Sequence, residues 1–168
     1  MYLPDHDVTL ELLTAAHADA LLRFEQENRA YFAASISDRG DDYFASFARR
    51  HEALLAEQEA GICRFHVLVD ADGEVVGRMN LVDLAGGSAE LGYRIAEKAA
   101  GKGLATAAVR AVARRARSEY GLSRLRARTT LDNAASRAIL GRVGFHEVGH
   151  RTVGGRPGMA YELLLEEV

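Results

Sequence analysis

A short glycine-rich stretch stands out as a place where the chain is able to bind an anion. Residues 98–109 read KAAGKGLATAAV, so that Gly101 and Gly103 flank Lys102 directly before a run of helix-forming residues. A turn that opens a helix offers free backbone N–H groups and the positive end of the helix dipole to an anionic group. The stretch therefore predicts a site for a phosphate or a dinucleotide, or else a turn that binds nothing.

Two common phosphate-binding motifs do not fit this stretch. A P-loop requires the pattern G-x-x-x-x-G-K-[ST], which does not occur in the chain. A dinucleotide-binding fingerprint requires G-x-G-x-x-G, but Thr106 stands at its third glycine, and no acidic residue follows where the ribose would need one. The turn also comes after several predicted antiparallel strands instead of opening the fold, which disfavours a Rossmann domain.

Charge is divided unevenly along the chain, whose formal net charge is −3. Residues 1–97 carry 8 basic and 18 acidic side chains, whereas residues 98–156 carry 13 basic and 3 acidic ones. The basic segment begins at the glycine turn and favours an anionic ligand there. Nucleic acid is disfavoured as that ligand, because the segment has few aromatic residues to stack on bases and the whole chain is acidic.

A pair of polar residues lies downstream of the glycine stretch, in the segment LDNAASRAILGRVGF at 131–145. Ser136 follows Asn133 by three residues, which places both side chains on the same side of a helix. Asn133 is also a preferred N-cap for a helix that begins at Ala134. The spacing thus allows Asn133 to act as a helix cap, as a ligand contact, or as both.

The elements that would position these residues follow from hydrophobic periodicity and turn signals. Strands are predicted at 8–14, 64–70, 74–84, 89–95, 125–131, 145–151 and 159–165, and helices at 15–32, 42–59, 103–119 and 134–143. Asp72-Gly73 predicts a hairpin between the second and third strands. The order β-α-α-β-β-β-α-β-α-β-β predicts a mixed α/β fold around one central sheet, with residues 1–168 forming a single domain.

Composition excludes several classes of protein. The chain has 168 residues, of which 48% are hydrophobic, and this is typical of a globular domain with a core. No apolar run approaches the roughly 20 residues of a membrane helix, and the N-terminus lacks a signal-peptide pattern. Cys63 is the only cysteine and the six histidines are scattered, so neither a disulfide nor a zinc site is expected. We expect a cytoplasmic protein that binds no membrane and no metal.

The glycine turn and its surroundings resemble the GNAT acetyltransferases. Their signature [QR]-x-x-G-x-[GA] aligns with residues 100–105, where the glycines and Ala105 match and Ala100 replaces the usual Gln or Arg. The stretch at 131–145 resembles the N-x-x-S-x-x-x-[LA]-x-x-x-G-F segment of the RimJ/RimL branch. AELGYRI at 89–95 resembles that family's E-[IL]-G-Y strand, and FEQENRAYF resembles an E-N-R-like stretch on its first helix. The resemblance covers nearly the whole chain in the right order.

The resemblance implies the GNAT acyl-CoA N-acyltransferase fold and direct transfer of an acetyl group from acetyl-CoA to a primary amine. Two central strands, at 92–95 and about 126–130, would splay apart so that the pantetheine arm docks between them. A backbone N–H near Arg94 or Ile95 would then bind the thioester oxygen. The implied acetyl-CoA-binding residues are Tyr93, Arg94, Ile95, Ala100, Gly101, Lys102, Gly103, Leu104, Ala105, Thr106, Asn133, Ser136 and Arg142.

Two residues are implied to be catalytic. Ser136 is the expected acid that protonates the departing thiolate, and Glu90 is the expected general base, with Glu25, Glu27 or a water chain as alternatives. The first two helices and the loop SISDRGDD at 35–42 are expected to shape the acceptor pocket, and their acidity suits a cationic amine.

The acceptor and the oligomeric state stay open at this point. The resemblance to the RimJ/RimL branch allows the N-terminal amine of a protein, such as a ribosomal protein, as the acceptor. A small-molecule amine (an antibiotic, a polyamine or an amino acid) is the alternative enzyme hypothesis. Ala100 and the unassigned base leave room for a non-catalytic acyl-CoA-binding module, and the protein is expected to be a monomer or a homodimer.

Overall fold

One eight-stranded sheet organises the chain. The computed structural model describes the backbone of residues 1–168 and every side chain except that of Glu167. The strands are β1 (Tyr2–Leu3), β2 (Val8–Leu12), β3 (Arg64–Asp70), β4 (Val75–Ala85), β5 (Ser88–Ile95), β6 (Arg124–Thr130), β7 (His146–Val153) and β8 (Arg156–Leu164). Their order across the sheet is β1-β2-β3-β4-β5-β6-β8-β7. The sheet is mixed, because β5 and β6 run parallel while the other neighbours are antiparallel.

Helices cover both faces of this sheet. They are α1 (Ala18–Glu27), α2 (Arg29–Ala33), α3 (Asp41–Ala45), α4 (Phe47–Glu59), α5 (Leu104–Ser118) and α6 (Ala134–Val143). Successive residues of β4 point to opposite faces. Arg78 reaches Glu25 of α1 on one face. Met79 lies on the other face beside His66, whose ring contacts Tyr120 just after α5. The α1 and α5 helices therefore pack on opposite sides of the sheet.

The central strands β5 and β6 part from each other. Their pairing covers only Ser88–Arg124, Ala89–Leu125 and Glu90–Arg126. Beyond this point β5 continues to Ile95 beside β4, and β6 continues to Thr130 beside β8. The expected splay of the two central strands is present, and it opens a gap in the middle of the sheet.

Both long helices predicted near the N-terminus are interrupted. The segment 15–32 contains a 3-10 turn (Ala15–His17) followed by α1 and α2, which break at Asn28. Asn28 donates its side-chain amide to the carbonyl of Phe24 and accepts from the N–H of Glu97. The segment 42–59 breaks at Ser46, whose hydroxyl donates to a carbonyl one turn earlier. Polar side chains that bond to the local backbone compete with the helix, a conflict that hydrophobic periodicity does not detect.

The remaining elements follow the predicted pattern with small shifts at their ends. The strand at 64–70 and the helix at 134–143 have the predicted bounds, and Gly144 ends the helix in a left-handed conformation with φ +112°. Strand β8 begins three residues earlier than predicted, at Arg156. Three short elements were not predicted, namely β1, a 3-10 turn (Glu97–Ala99) that leads into the glycine stretch and a 3-10 turn (Leu165–Glu167) after β8.

Candidate active site

A cavity of about 540 Å³ lies at the gap beside β5. Consecutive residues Tyr93, Arg94 and Ile95 all line it, so it is reached from both faces of the sheet. Twelve of the predicted site residues line this cavity: Tyr93, Arg94, Ile95, Ala100, Gly101, Gly103, Leu104, Ala105, Thr106, Asn133, Ser136 and Arg142. The structure therefore brings together residues from β5, α6 and the start of α5. Lys102 and Glu90 are not among the lining residues.

The glycine stretch forms a row of free backbone donors. Gly101 and Gly103 have φ values of +72° and +81°, and Gly103 caps α5 without any side-chain hydrogen bond. No hydrogen bond from the backbone N–H groups of residues 101–106 is found within the part of the chain that the structure describes. A Cβ at Gly101 would have no atom within 4 Å, so the surface is open. This donor set at a helix N-terminus fits the pyrophosphate of a coenzyme A molecule.

Two cations flank this row of donors. Lys102 is exposed, and its ammonium group donates to the carbonyl of Lys98 at 3.1 Å. Arg142 lines the cavity from the last turn of α6, which packs against α5, and its carbonyl accepts from Arg110. Both side chains are long and positively charged, and they lie beside the free amides, where they favour an anionic ligand.

The free edge of β5 also presents backbone donors. Ala96 donates its N–H to Val76 of the β4 side at 2.9 Å. Because N–H directions alternate along a strand, the N–H groups of Tyr93 and Ile95 point away from β4 and into the gap. This places Tyr93 and Ile95, rather than Arg94, as the backbone donors next to the cavity.

A tyrosine–serine pair lines the wall of the cavity. The hydroxyl of Tyr93 lies 3.0 Å from Oγ of Ser136, so the two are hydrogen-bonded. Burial raises the pKa of Tyr93 above its usual value, and the hydrogen bond with Ser136 only partly opposes this. Asn133 accepts from the backbone N–H of Ser136 at 3.2 Å and caps α6. The cap fixes Ser136 in the first turn, where its hydroxyl meets Tyr93.

The predicted general base is engaged elsewhere. Both carboxylate oxygens of Glu90 accept hydrogen bonds from Arg128, at 2.8 and 3.1 Å. Glu27 is exposed on α1 and contributes to a separate small pocket beside Lys98 and Glu74. The residues that line the main cavity include no carboxylate at all.

A buried charge cluster lies behind the cavity wall. Glu25 is 1% exposed and forms ion pairs with Arg39, Arg78 and Arg94, at 2.5, 2.9 and 3.4 Å. Tyr43 donates its hydroxyl to the same carboxylate at 3.3 Å, and its ring lies beneath the guanidinium of Arg39. Of these residues only Arg94 lines the cavity.

Sequence reasoning missed part of the wall. The additional lining residues are Tyr31, Phe32, Ser35, Ile36, Ala99, Ala135, Ala138 and Ile139. Ser35 and Ile36 begin the loop that was expected to shape the acceptor pocket, and Tyr31 and Phe32 lie in the predicted helix 15–32 that was expected to do the same. The contact between Arg94 and Glu25 joins positions 69 residues apart, and no local pattern signals it.

Two kinds of feature are absent from the described residues. No helix there combines the length and the apolar character that a membrane span requires. No group of three or more His, Cys, Asp or Glu side chains in that part of the chain is arranged to hold a metal ion.

Comparisons with known proteins point to one family of acetyltransferases. The acetyltransferase (GNAT) domain family matches residues 7–146. The putative ribosomal N-acetyltransferase YdaF of Bacillus subtilis is 32% identical over 152 residues, which are 84% of this chain and 79% of that protein.

Solved structures share the fold along almost the whole chain. RimJ of Mycobacterium smegmatis, in complex with CoA-disulfide, superposes with a TM-score of 0.87 at 26% identity, covering 99% of this chain and 86% of that one. A spermidine N-acetyltransferase from Vibrio cholerae, in complex with CoA and spermine, has a TM-score of 0.79 at 19% identity, covering 95% and 96% of the two chains. At 19% identity, the similarity to the spermidine N-acetyltransferase shows a shared fold only.

Proposed function

This chain belongs to the GNAT acetyltransferase family, and we propose that it acetylates the N-terminal α-amino group of a protein. The family assignment makes it an N-acetyltransferase that uses acetyl-CoA and an amine acceptor. The proposal about the acceptor draws on the relative described as a putative ribosomal N-acetyltransferase and on the resemblance to RimJ. The observation that carries the acetyl transfer itself is the Tyr93–Ser136 pair in a cavity open to both faces of the sheet.

The coenzyme would be held mainly by backbone groups. The free N–H groups of residues 101–106 are suited to the pyrophosphate, and Lys102 and Arg142 add positive charge nearby. Ala100 removes the polar side chain that the family usually has at this position, but it leaves the backbone donors intact. The unpaired edge of β5 would receive the pantetheine arm in the way that a strand edge receives another strand.

Transfer needs the two reactants aligned and the developing charges bound. Acetyl-CoA supplies the activated acetyl group, and the amine displaces the CoA sulfur as the C–N bond forms and the C–S bond breaks. The N–H of Ile95 would donate to the carbonyl oxygen as negative charge grows on it. Ser136 would give its proton to the departing sulfur while it takes one from Tyr93, and Tyr93 would take one from water in the cavity, so that neither hydroxyl stays ionised.

The amine must also lose a proton before it attacks. Glu90 was the expected base, but both of its oxygens bind Arg128 and it does not line the cavity. Glu25 is enclosed by three guanidinium groups. We therefore propose that water in the open cavity takes the proton, so that the pKa of the acceptor amine itself sets the pH dependence.

Other features of the protein remain predictions. We propose that residues 1–168 act as one catalytic domain, which the continuous eight-stranded sheet supports. The cytoplasmic location and the monomeric or homodimeric state rest on the sequence alone. A polyamine acceptor is a weaker hypothesis, because the cavity lining lacks the carboxylates that would bind several ammonium groups.

An acetyl-CoA turnover assay against a panel of acceptors tests the proposal. The panel contains peptides with free N-termini, the same peptides with blocked N-termini and an internal lysine, spermidine, and aminoglycosides. We expect CoA release with free N-termini only, and mass spectrometry should place the acetyl group on the α-nitrogen. Faster acetylation of spermidine or of an aminoglycoside would overturn the proposed acceptor. Tight acetyl-CoA binding without transfer to any amine would instead support a binding module.

A further inference from the structure

The charge on the acceptor side of the cavity has the opposite sign to the one that the N-terminal sequence suggests. Residues 1–97 are strongly acidic, yet the charged side chains that line the cavity are Arg94 and Arg142. Arg142 belongs to α6, next to the helix whose N-terminus carries the free amides. Arg94 lies on the other face of the sheet, where its guanidinium sits 5.0 Å above the ring of Phe32 in α2. Arg94 is therefore the cation on the acceptor side.

Positive charge around Arg94 is not balanced. The guanidiniums of Arg39, Arg78 and Arg94 share a single carboxylate, that of Glu25, so the cluster has an excess of two positive charges. The side chains of Arg78 and Glu25 are almost fully buried. Burial and the neighbouring arginines lower the pKa of Arg94, whereas Glu25 raises it. An anion bound at Arg94 would offset this excess, and a second cation would increase it.

Arg94 also has hydrogen-bonding capacity to spare. Within the described part of the chain its guanidinium donates one hydrogen bond, from Nη1 to Glu25 at 3.4 Å. A guanidinium has five N–H donors, and its planar fork matches the two oxygens of a carboxylate. Glu25 on one side and Phe32 on the other hold the group in place. The donors that remain are available to a molecule in the cavity.

Two acidic residues of the loop at 35–42 are paired with another arginine. Asp38 and Asp41 bind Arg29 at 2.8 and 2.9 Å, and neither lines the cavity. Asp41 is 95% exposed, so solvent and salt screen it strongly. The acidity of the first half of the chain thus lies outside the cavity wall, while the charge inside the wall is positive.

We propose that the acceptor carries a carboxylate close to its primary amine, and that the Arg94 guanidinium binds this carboxylate. The inference rests on the proposed acetyl transfer to an amine. It adds that Arg94 is a specificity residue, selecting anionic acceptors and rejecting polyamines by charge. Two sources offer this chemistry, namely an Asp or Glu side chain near the N-terminus of a polypeptide and the α-carboxylate of a free amino acid.

Matched acceptors that differ in one carboxylate test the inference, with kcat/KM expressed per neutral amine because a carboxylate also raises the pKa of a neighbouring amine. One pair consists of peptides that begin Ala-Asp and Ala-Asn, a second pair of alanine and alaninamide, and spermidine serves as a polycation. We expect kcat/KM to favour the carboxylate member of one pair by about tenfold, as one charge-assisted bidentate contact allows. The pair that shows the preference identifies the source of the carboxylate.

Substitution of Arg94 then assigns the preference to this residue. Arg94→Gln should reduce the preference to about onefold by raising the KM of the acceptor that carries the carboxylate. Arg94→Lys should keep part of the preference, because lysine retains the positive charge but lacks the planar N–H donors of the guanidinium. The matched control is Arg49→Gln on α4, an exposed arginine outside the cavity lining, which should keep the full preference.

The outcomes separate this inference from the proposed function. Equal kcat/KM within both pairs, or a preference for spermidine, overturns the inference while acetyl transfer stands. Transfer to alanine but to no peptide overturns the proposed protein acceptor, and the alanine–alaninamide pair still decides the role of a carboxylate. A preference that persists in Arg94→Gln overturns the assignment to Arg94. If that variant does not fold, the wild-type ratios and Arg94→Lys decide.

Discussion

The two ends of the cavity are built from different kinds of group. The coenzyme end consists of backbone N–H donors from one continuous segment, residues 101–106. The acceptor end is lined by side chains from α2 and β5, such as Phe32 and Arg94. Behind this wall, Glu25 of α1 forms ion pairs with Arg94 and with Arg78 of β4. A backbone site depends on local conformation and tolerates many side chains. A side-chain site depends on each residue and on the packing that brings distant segments together.

This difference predicts different responses to substitution. At the coenzyme end, a change in backbone conformation should be severe, and a change of side chain should be mild. Ala100 illustrates the second case, since the free amides persist although the usual Gln or Arg is missing. At the acceptor end, single side-chain changes should alter stability or selectivity while acetyl-CoA binding persists.

The largest expected effect follows from Gly103→Val. Gly103 has φ +81° at the start of α5, a conformation that a β-branched residue rarely adopts. The loop must change its backbone to relieve the strain, and several amides then leave the anion site. We expect acetyl-CoA affinity to fall by about 1000-fold, since each hydrogen bond to a charged group contributes roughly 1.5–3 kcal/mol. Isothermal titration calorimetry measures this directly.

Gly121→Val is the matched control for that experiment. Gly121 also has a positive φ, +64°, and a Cβ there would meet no atom within 4 Å, but it lies outside the cavity lining. Both variants should lose similar stability from backbone strain, and only Gly103→Val should lose affinity. Full retention of affinity in Gly103→Val would refute the assignment of this loop.

The next effect concerns the acceptor end and is measured as stability. Glu25→Gln removes the one carboxylate among three guanidiniums and leaves uncompensated buried charge. We expect the free energy of unfolding to fall by about 3–5 kcal/mol, as for other broken buried pairs. Chemical denaturation should show a far smaller loss for Glu90→Gln, whose partner Arg128 is half exposed. Equal losses would mean that the cluster contributes no special stability.

The same contrast explains what the sequence can predict. Gly101, Gly103, Asn133 and Ser136 lie in short motifs whose spacing determines local geometry, and the structure brings all four to one cavity. The cluster around Glu25 depends on contacts across 14, 53 and 69 positions, which no local pattern encodes. The helix breaks at Asn28 and Ser46 escaped prediction because local polar hydrogen bonds compete with helical periodicity.

Ser136→Ala tests the catalytic pair between the two ends. Loss of the hydroxyl removes the proposed proton donor to the departing sulfur, so kcat should fall by about 100-fold. The affinity for acetyl-CoA should stay unchanged, because Asn133 caps α6 through the backbone N–H of Ser136. Single-turnover kinetics separate the two effects. Unchanged turnover would remove Ser136 as the acid.

Tyr93→Phe tests whether the hydroxyls of Tyr93 and Ser136 act together. The hydroxyl of Tyr93 is hydrogen-bonded to Ser136, so the two losses should be strongly non-additive if the residues act as one donor. The double variant should then be hardly slower than Ser136→Ala alone. Independent, multiplicative losses would show that the two hydroxyls act separately.

The smallest expected effect is that of Glu90→Gln on activity. Because Glu90 binds Arg128 outside the cavity lining, kcat/KM should change by no more than about threefold, the size of a surface ion pair. With water as the proton acceptor, kcat/KM should rise with pH until the α-amino group is neutral, near pH 8, in both proteins. The raised pKa of Tyr93 keeps its hydroxyl protonated across that range. A 100-fold loss together with a flattened pH profile in Glu90→Gln would instead identify Glu90 as the base, with Arg128 releasing it when the acceptor binds.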